Sequence, residues 1–250
     1  MLSGAIFDYG STLITFDGDY AEVRTRAHRA LIDALRSEGV TVREPSFPSR
    51  WVRKFDAYNR KRTSDHKETT AYCVLEETIR DEGIPPQDPA LLRRALRAMF
   101  EIFEAHWKLF PDTRKALERI RSSGLRMAML SNASDEENVR RMLTDHGLQS
   151  YFDPVVISAA IGIRKPDARA FQPILAAWDV PAPDVVMVGD QLGADILGAK
   201  TLGMRTIWLT TEAESATNRA VRGKISPDAQ VGTVGEAAAL ILHWKGKKAE

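Results

Sequence analysis

Four short segments carry residues able to do chemistry together. They are Asp8-Tyr9-Gly10-Ser11-Thr12-Leu13, Ser131-Asn132, Gly162-Ile163-Arg164-Lys165-Pro166-Asp167 and Gly189-Asp190-Gln191-Leu192-Gly193-Ala194-Asp195. Brought to one point, Asp8, Asp190, Asp195, Ser131 and Lys165 would be three carboxylates, one hydroxyl and one ammonium. Carboxylate oxygens of Asp8 and Asp190 are hard donors of the kind Mg²⁺ takes, with water and a phosphate oxygen filling the octahedron. A carboxylate beside a divalent cation and a lysine stays ionised at neutral pH. It can attack phosphorus and form an acyl phosphate that water later opens. Ser131 would hydrogen-bond phosphoryl oxygens, and Lys165 would offset charge on both partners. Taken singly, each is unremarkable: an Asp after a strand is commonly a turn or capping residue, as expected of Asp167.

The elements that must position these residues are legible as alternation. Strand-like runs occur at Gly4–Phe7, Arg126–Leu130, Pro154–Ile157, Val185–Val188 and Arg205–Leu209, with a weaker one near Gln230–Val234. Their length and β-branched content suit buried strands. Helical periodicity occupies Asp112–Ser122, Asp135–His146, Ala168–Trp178 and Asp195–Leu202, with Pro111-Asp112 as a start signal and Gly124 and Gly147 as C-terminal caps. Alternation of this kind predicts an α/β fold, a Rossmann-like, doubly wound and mostly parallel sheet. Ligands of such sheets bind beyond the carboxyl ends of the strands, where the four segments fall.

One stretch breaks the rhythm. Between about Asp17 and His106 only helical periodicity is found, on faces such as Val23, Ala27, Leu31 and Leu35, or Leu92, Ala95, Leu96 and Met99. This predicts a core of residues 1–16 and 107–250 with a helical cap, 17–106, inserted into it. Within the cap, the basic stretch Arg50 to Lys67 reads either as a solvated face or as a positive surface turned toward an anionic substrate. Cys73 reads as a core position, and the five tryptophans as packing residues.

The four segments resemble the four motifs of the haloacid dehalogenase superfamily, most of whose members are Mg²⁺-dependent phosphatases. Lys165-Pro166-Asp167 and the Gly189-Asp190…Asp195 run carry the resemblance most specifically, and the helical insert lies where one class of the family has its cap. The resemblance implies that Asp8 is the nucleophile, Ser131 a phosphate ligand with Thr12 and Asn132 in support, and Lys165 the stabilising cation. It also implies that Asp8, the Gly10 carbonyl, Asp190 and Asp195 hold the metal. The substrate implied is a small phosphorylated metabolite.

The chain departs from that pattern at Gly10, where the family's phosphatases have a second Asp that protonates the leaving group. Such a group is worth about 10²–10⁴ in rate. Four consequences stay open: a phosphatase that borrows an acid (Asp17, Asp19, Asp65 or His66); a 2-haloacid dehalogenase, whose leaving halide needs no proton; a phosphonate-cleaving enzyme using a cap lysine (Lys54, Lys61 or Lys67); or a non-catalytic phosphate-binding protein. Composition narrows the setting. With 35 Lys+Arg against 34 Asp+Glu, the net charge of +1 lacks the footprint of a nucleic-acid binder. A single cysteine excludes an intrachain disulfide. No apolar run approaches the ~18 residues of a membrane helix. A cytoplasmic monomer or homodimer, without basic leader, membrane or nucleic-acid partner, is expected.

Overall fold

The structure is a computed structural model that describes residues 2–246, apart from the side chains of residues 62–64. Its centre is a six-stranded sheet: β1 (Gly4–Phe7), β4 (Arg126–Ser131), β5 (Val155–Ile157), β6 (Val185–Gly189), β7 (Arg205–Leu209) and β8 (Ala229–Val231). The spatial order is β5-β4-β1-β6-β7-β8, and every pairing is parallel. Strand order therefore reverses between β1 and β6, the switch point at which open sheets of this kind place ligands.

Parallel strands buried on both faces need apolar residues at every position. All four residues of β1 are buried, with Ala5 and Phe7 on one face and Ile6 on the other. The first face is covered by α5 (Thr113–Ser122), α6 (Glu136–Asp145) and α11 (Val234–Gly246), through residues such as Leu117, Leu143 and Ile241. The second is covered by α8 (Gln172–Trp178) and α9 (Leu197–Thr201), through Ile174 and Ala199. The short helices α7 (Ser158–Ile161) and α10 (Ala216–Val221) complete the layers. The fold class is the predicted one, an α/β sheet between helical layers.

Two strands escape the sequence reading. β2 (Ile14–Phe16) and β3 (Trp107–Leu109) pair antiparallel and form the neck from which the inserted helices rise. Three-residue strands are too short to show a period of two. Between them stand α1 (Tyr20–Ser37), α2 (Ser46–Asp65), α3 (Ala71–Asp81) and α4 (Pro89–Glu104), around their own apolar core of Leu31, Leu35, Trp51, Leu75, Leu92 and Met99. Asp19, Thr70 and Asp88 cap α1, α3 and α4 through side-chain oxygens, satisfying amides that the first helical turn leaves free.

Other expectations are corrected in detail. The helix expected over Ala168–Trp178 is a 3₁₀ turn at Ala168–Ala170 followed by α8, because Pro173 sits at the start of a new helix. Cys73 is exposed, not core: α3 turns Ala71, Val74, Leu75, Thr78 and Ile79 inward and leaves it outside that stripe. Two basic residues of α2 are paired at the C-terminal end of α3, where Arg50 meets Glu82 at 2.5 Å and Lys54 meets Asp81 at 2.8 Å. Among the described residues, no helix is long and apolar enough to cross a membrane.

Candidate active site

Asp8 follows β1 and Asp190 follows β6, so the switch point itself sets two carboxylates side by side. The chain after Asp8 turns at once: the Tyr9 carbonyl accepts the amides of Thr12, Leu13 and Ile14, and Ser11 adopts a positive φ of 56°. The turn carries Thr12 back over the strand ends. Its hydroxyl lies 3.1 Å from Asp190 Oδ1 and 3.4 Å from Asp8 Oδ2, so its single proton serves one carboxylate at a time.

Lys165 completes the cluster. Its ammonium donates to Asp8 Oδ1 at 2.6 Å, to Asp195 Oδ1 at 2.7 Å and to the Leu130 carbonyl at 2.6 Å, which uses all three protons. Burial opposes that charge, but Asp195 and Asp8 outweigh it and hold the ammonium above its usual range. The helix expected over Asp195–Leu202 begins earlier, as a π turn, Leu192–Ile196, that runs into α9; Asp195 lies inside that turn, and its Oδ2 accepts the Gln191 amide at 2.9 Å. Gly189 makes this geometry sterically accessible. A β-carbon there would lie inside the van der Waals radius of the Asp195 carboxylate. Gly198 likewise lets α9 approach Pro166, where a β-carbon would meet the Pro166 Cα at 2.9 Å.

Asp8, Asp190 and Asp195 are 8%, 2% and 1% exposed, and one oxygen of each lies within 4.8 Å of the others. Three carboxylates face one ammonium, leaving two negative charges in excess in a dry site. Burial and the charges of Asp8 and Asp195 push the Asp190 carboxyl well above its ordinary range, and burial lifts Asp195 to about 6 despite Lys165. A cluster this costly is what a hard divalent cation would neutralise, and all its donors are oxygens.

Ser131 ends β4 at 6% exposure, and its hydroxyl has no partner among the described residues. Asn132 does something more specific than expected. Its Oδ1 accepts the Lys165 amide at 2.9 Å and its Nδ2 donates to the Lys165 carbonyl at 3.0 Å, so the side chain fixes the lysine's loop. The Asp190 carbonyl is pinned by Trp208 Nε1 at 2.8 Å and Asn218 Nδ2 at 2.9 Å. Gly10 faces Trp107, whose ring would lie 3.7 Å from a β-carbon at that position. Asp167 caps the turn at Ala168 as expected.

Of the residues considered as a replacement acid, Asp19 and Asp65 have their carboxylates engaged, whereas Asp17 and His66 are held through backbone atoms. Asp19 caps α1, Asp65 accepts the Lys67 amide, and Asp17 is tied through its carbonyl to His106. The His66 carbonyl accepts the Arg164 amide. Of the lysines considered for covalent chemistry, Lys54 is held protonated, its pKa raised by hydrogen bonding to Asp81.

Sequence reasoning missed Glu68 and Ser158. Glu68, in the loop between α2 and α3, has a fully buried side chain. Its Oε2 accepts the Ser158 hydroxyl at 2.6 Å and lies 3.1 Å from Arg164, while Oε1 accepts the Tyr58 hydroxyl. Ser158 in turn accepts the Ala133 amide at 2.9 Å. The inserted helices are thus tied to both the loop after Ser131 and the loop before Lys165. A lone acidic residue beside a lysine and two threonines gives no signal of this in sequence.

A switch-point carboxylate cluster of this make-up, on this sheet, under an inserted helical bundle, defines a class that comparison with known proteins identifies. The model of the haloacid dehalogenase-like hydrolases matches residues 49–209, and the chain belongs to that family. It is 31% identical over 163 residues to a phosphoserine phosphatase of Thermus thermophilus, covering 65% of this chain and 61% of that one. It is 32% identical over 153 residues to a glyceraldehyde 3-phosphate phosphatase of Pyrococcus abyssi, covering 56% and 64%. The chain therefore spans less than two thirds of these curated relatives. A solved 2-haloacid dehalogenase from Pseudomonas syringae pv. Tomato superposes with a TM-score of 0.66 at 25% identity, covering 98% of this chain and 100% of the other.

Proposed function

We propose that the chain is a Mg²⁺-dependent phosphatase of small phosphorylated metabolites, working through an aspartyl-phosphate on Asp8. The observation that carries this reading is the excess of two negative charges among Asp8, Asp190, Asp195 and Lys165. The similarity to phosphatases of phosphoserine and glyceraldehyde 3-phosphate supports it. Asp8, the Gly10 carbonyl, Asp190 and Asp195 would hold Mg²⁺, which when bound supplies positive charge against the phosphate and keeps the carboxylates ionised.

In the first step an Asp8 oxygen attacks phosphorus, and the bond from phosphorus to the ester oxygen breaks. Lys165, already in contact with Asp8, orients that carboxylate and offsets charge as the phosphoryl group arrives. The unpaired Ser131 hydroxyl donates to a phosphoryl oxygen. With glycine at position 10, the departing oxygen takes its proton from solvent. In the second step water attacks the phosphorus of the acyl phosphate, restoring the Asp8 carboxylate and releasing inorganic phosphate. The inserted helices act as a cap that limits which esters reach Asp8.

Hydrolysis of p-nitrophenyl phosphate with Mg²⁺ tests the reading, because that leaving group needs little protonation. Turnover that vanishes in Asp8→Asn, with trapping of phosphate on the wild-type protein after acid quench, is expected. A folded protein inactive on this ester and on a panel of metabolite esters would overturn it. Gly10 and the likeness to the 2-haloacid dehalogenase favour a second reading, dehalogenation. The excess of buried carboxylates weighs against it, since a haloacid brings a further carboxylate. Chloride release from 2-chloropropionate is its test.

A further inference from the structure

The neck between the sheet and the inserted helices carries a run of aromatic rings that starts beside Gly10. In the β2–β3 hairpin Phe16 stands directly opposite Trp107, so both side chains project from one face, and their rings meet edge-on at 5.2 Å. Phe16 stacks on His106 at 5.6 Å and meets Tyr20 at 5.3 Å, and Tyr20 meets Phe103 at 5.8 Å. Packing does not use up these rings. Phe16, Phe103, His106 and Trp107 are only partly buried, and Tyr20 is 57% exposed. Contiguous apolar surface left open beside a polar site is what a binding surface looks like.

Trp107 is fixed at the rim of the carboxylate cluster from two sides. Gly10, two residues beyond Asp8, bridges to Ile14 at the start of β2, and the Trp107 ring lies 3.7 Å from where a β-carbon on Gly10 would stand. His146 ties the same two segments together. Its Nδ1 accepts the Tyr9 hydroxyl at 2.8 Å, and its Nε2 donates to the Trp107 carbonyl at 3.2 Å. The residue next to Asp8 and the backbone of Trp107 thus share one clamp.

The direction of attack turns this position into a specificity argument. An Asp8 oxygen approaches phosphorus from the end of β1, and the leaving oxygen departs roughly in line on the opposite side. That side faces away from the sheet, toward the neck where Trp107 and Phe16 stand. Gly10 offers the departing oxygen no proton, and a phenolate leaves without one more readily than an alkoxide. The aromatic surface and the missing acid therefore select the same kind of ester.

We propose that Trp107 is a specificity residue and that the favoured substrates are phosphate monoesters of phenols, their ring stacked on the Trp107–Phe16 surface. This rests on the phosphatase reading above. As Asp8 attacks, the bond from phosphorus to the aryl oxygen breaks, the electron pair stays on that oxygen, and the phenolate takes its proton from water.

Phosphonates, in which a methylene replaces the ester oxygen, test the stacking without turnover. Isothermal titration in Mg²⁺ compares benzylphosphonate, cyclohexylmethylphosphonate and ethylphosphonate, with inorganic phosphate as reference. Benzylphosphonate should bind about tenfold tighter than ethylphosphonate and about threefold tighter than the cyclohexyl compound. Trp107→Leu should bring benzyl- and ethylphosphonate to within about twofold of each other, whereas Trp107→Phe should keep most of the preference. A crystal structure of the wild type with Mg²⁺ and benzylphosphonate needs no substitution: the phenyl centroid should lie within about 7 Å of the Trp107 ring. A ring seated elsewhere, a preference that persists in a folded Trp107→Leu, or equal affinities for the three phosphonates would each overturn the proposal. Equal affinities, with phosphate bound, would leave the phosphatase reading standing. Failure of phosphate and all three phosphonates to bind would overturn both.

Discussion

The Ser158 hydroxyl donates to Glu68 Oε2 at 2.6 Å, joining the inserted helices to the core across 90 residues of chain. Because Glu68 also faces Arg164, one buried carboxylate links the segments that carry Asn132 and Lys165. Glu68→Gln keeps the shape but removes the carboxylate charge that faces Arg164 at 3.1 Å. Breaking a buried pair from one side costs about 3–5 kcal/mol, so urea unfolding should report a loss near the lower end, Arg164 being partly exposed. The double variant Glu68→Gln/Arg164→Met should recover part of that loss, a coupling read directly from the mutant cycle. Equal stability of wild type and Glu68→Gln would show that the tie is not a structural anchor.

How much of this was legible in the sequence follows from what each feature rests on. Gly4–Phe7 is apolar at every position because both faces of β1 are buried, and that composition survives in a single sequence. The carboxylates at the strand ends were legible for the same reason, since a parallel sheet fixes where its strand ends must lie. β2 and β3 were not, being three residues each and defined by their pairing with one another. Glu68 was not, because its partners in the core, Ser158 and Arg164, lie 90 or more residues downstream. The exposure of Cys73 was legible in principle: Ala71, Val74, Leu75 and Ile79 define the inward stripe of α3, and position 73 falls outside it.

The crowding of Asp190 by Asp8 and Asp195 makes a prediction about stability that runs against activity. Asp190→Asn is nearly isosteric and removes one of the two excess negative charges. In EDTA the variant should be more stable than wild type by about 1–2 kcal/mol, a gain of a few degrees in Tm for a chain of this size. Addition of Mg²⁺ should raise the Tm of the wild type by mass action and leave the variant nearly unmoved. A metal-free Asp190→Asn that melts below wild type would mean the cluster is not electrostatically strained.

His28 sets a pH dependence whose sign is fixed by its neutral, buried state. Its folded pKa, about 4, lies below the ~6.5 of an unfolded histidine, so between these values the unfolded chain binds more protons. Stability from this group is therefore intact above pH 6.5 and declines as pH falls toward 4, by up to about 3 kcal/mol. His28→Leu should flatten the corresponding part of the stability–pH curve when both proteins are unfolded in urea across that window. Parallel curves for the two proteins would refute the assignment.

Gly10 is the position where added chemistry can be tested without forcing the backbone. A β-carbon there meets only the Trp107 ring, at the ordinary contact distance of 3.7 Å, and the residue is not among the glycines with positive φ. Gly10→Asp would place a carboxyl group one residue beyond Tyr9, in the turn that leads from Asp8 to Thr12. If the missing element is a proton donor, the gain must depend on how much the leaving oxygen needs a proton. Turnover of an alkyl phosphate should rise by about two orders of magnitude, at the lower end of the ~10²–10⁴ that a placed acid supplies, because the new side chain shares its space with the Trp107 ring. Turnover of p-nitrophenyl phosphate, whose phenolate leaves unaided, should change by less than about threefold. Equal changes on both esters would point to an altered cluster geometry instead, and a loss on both would mean that Trp107 cannot give way.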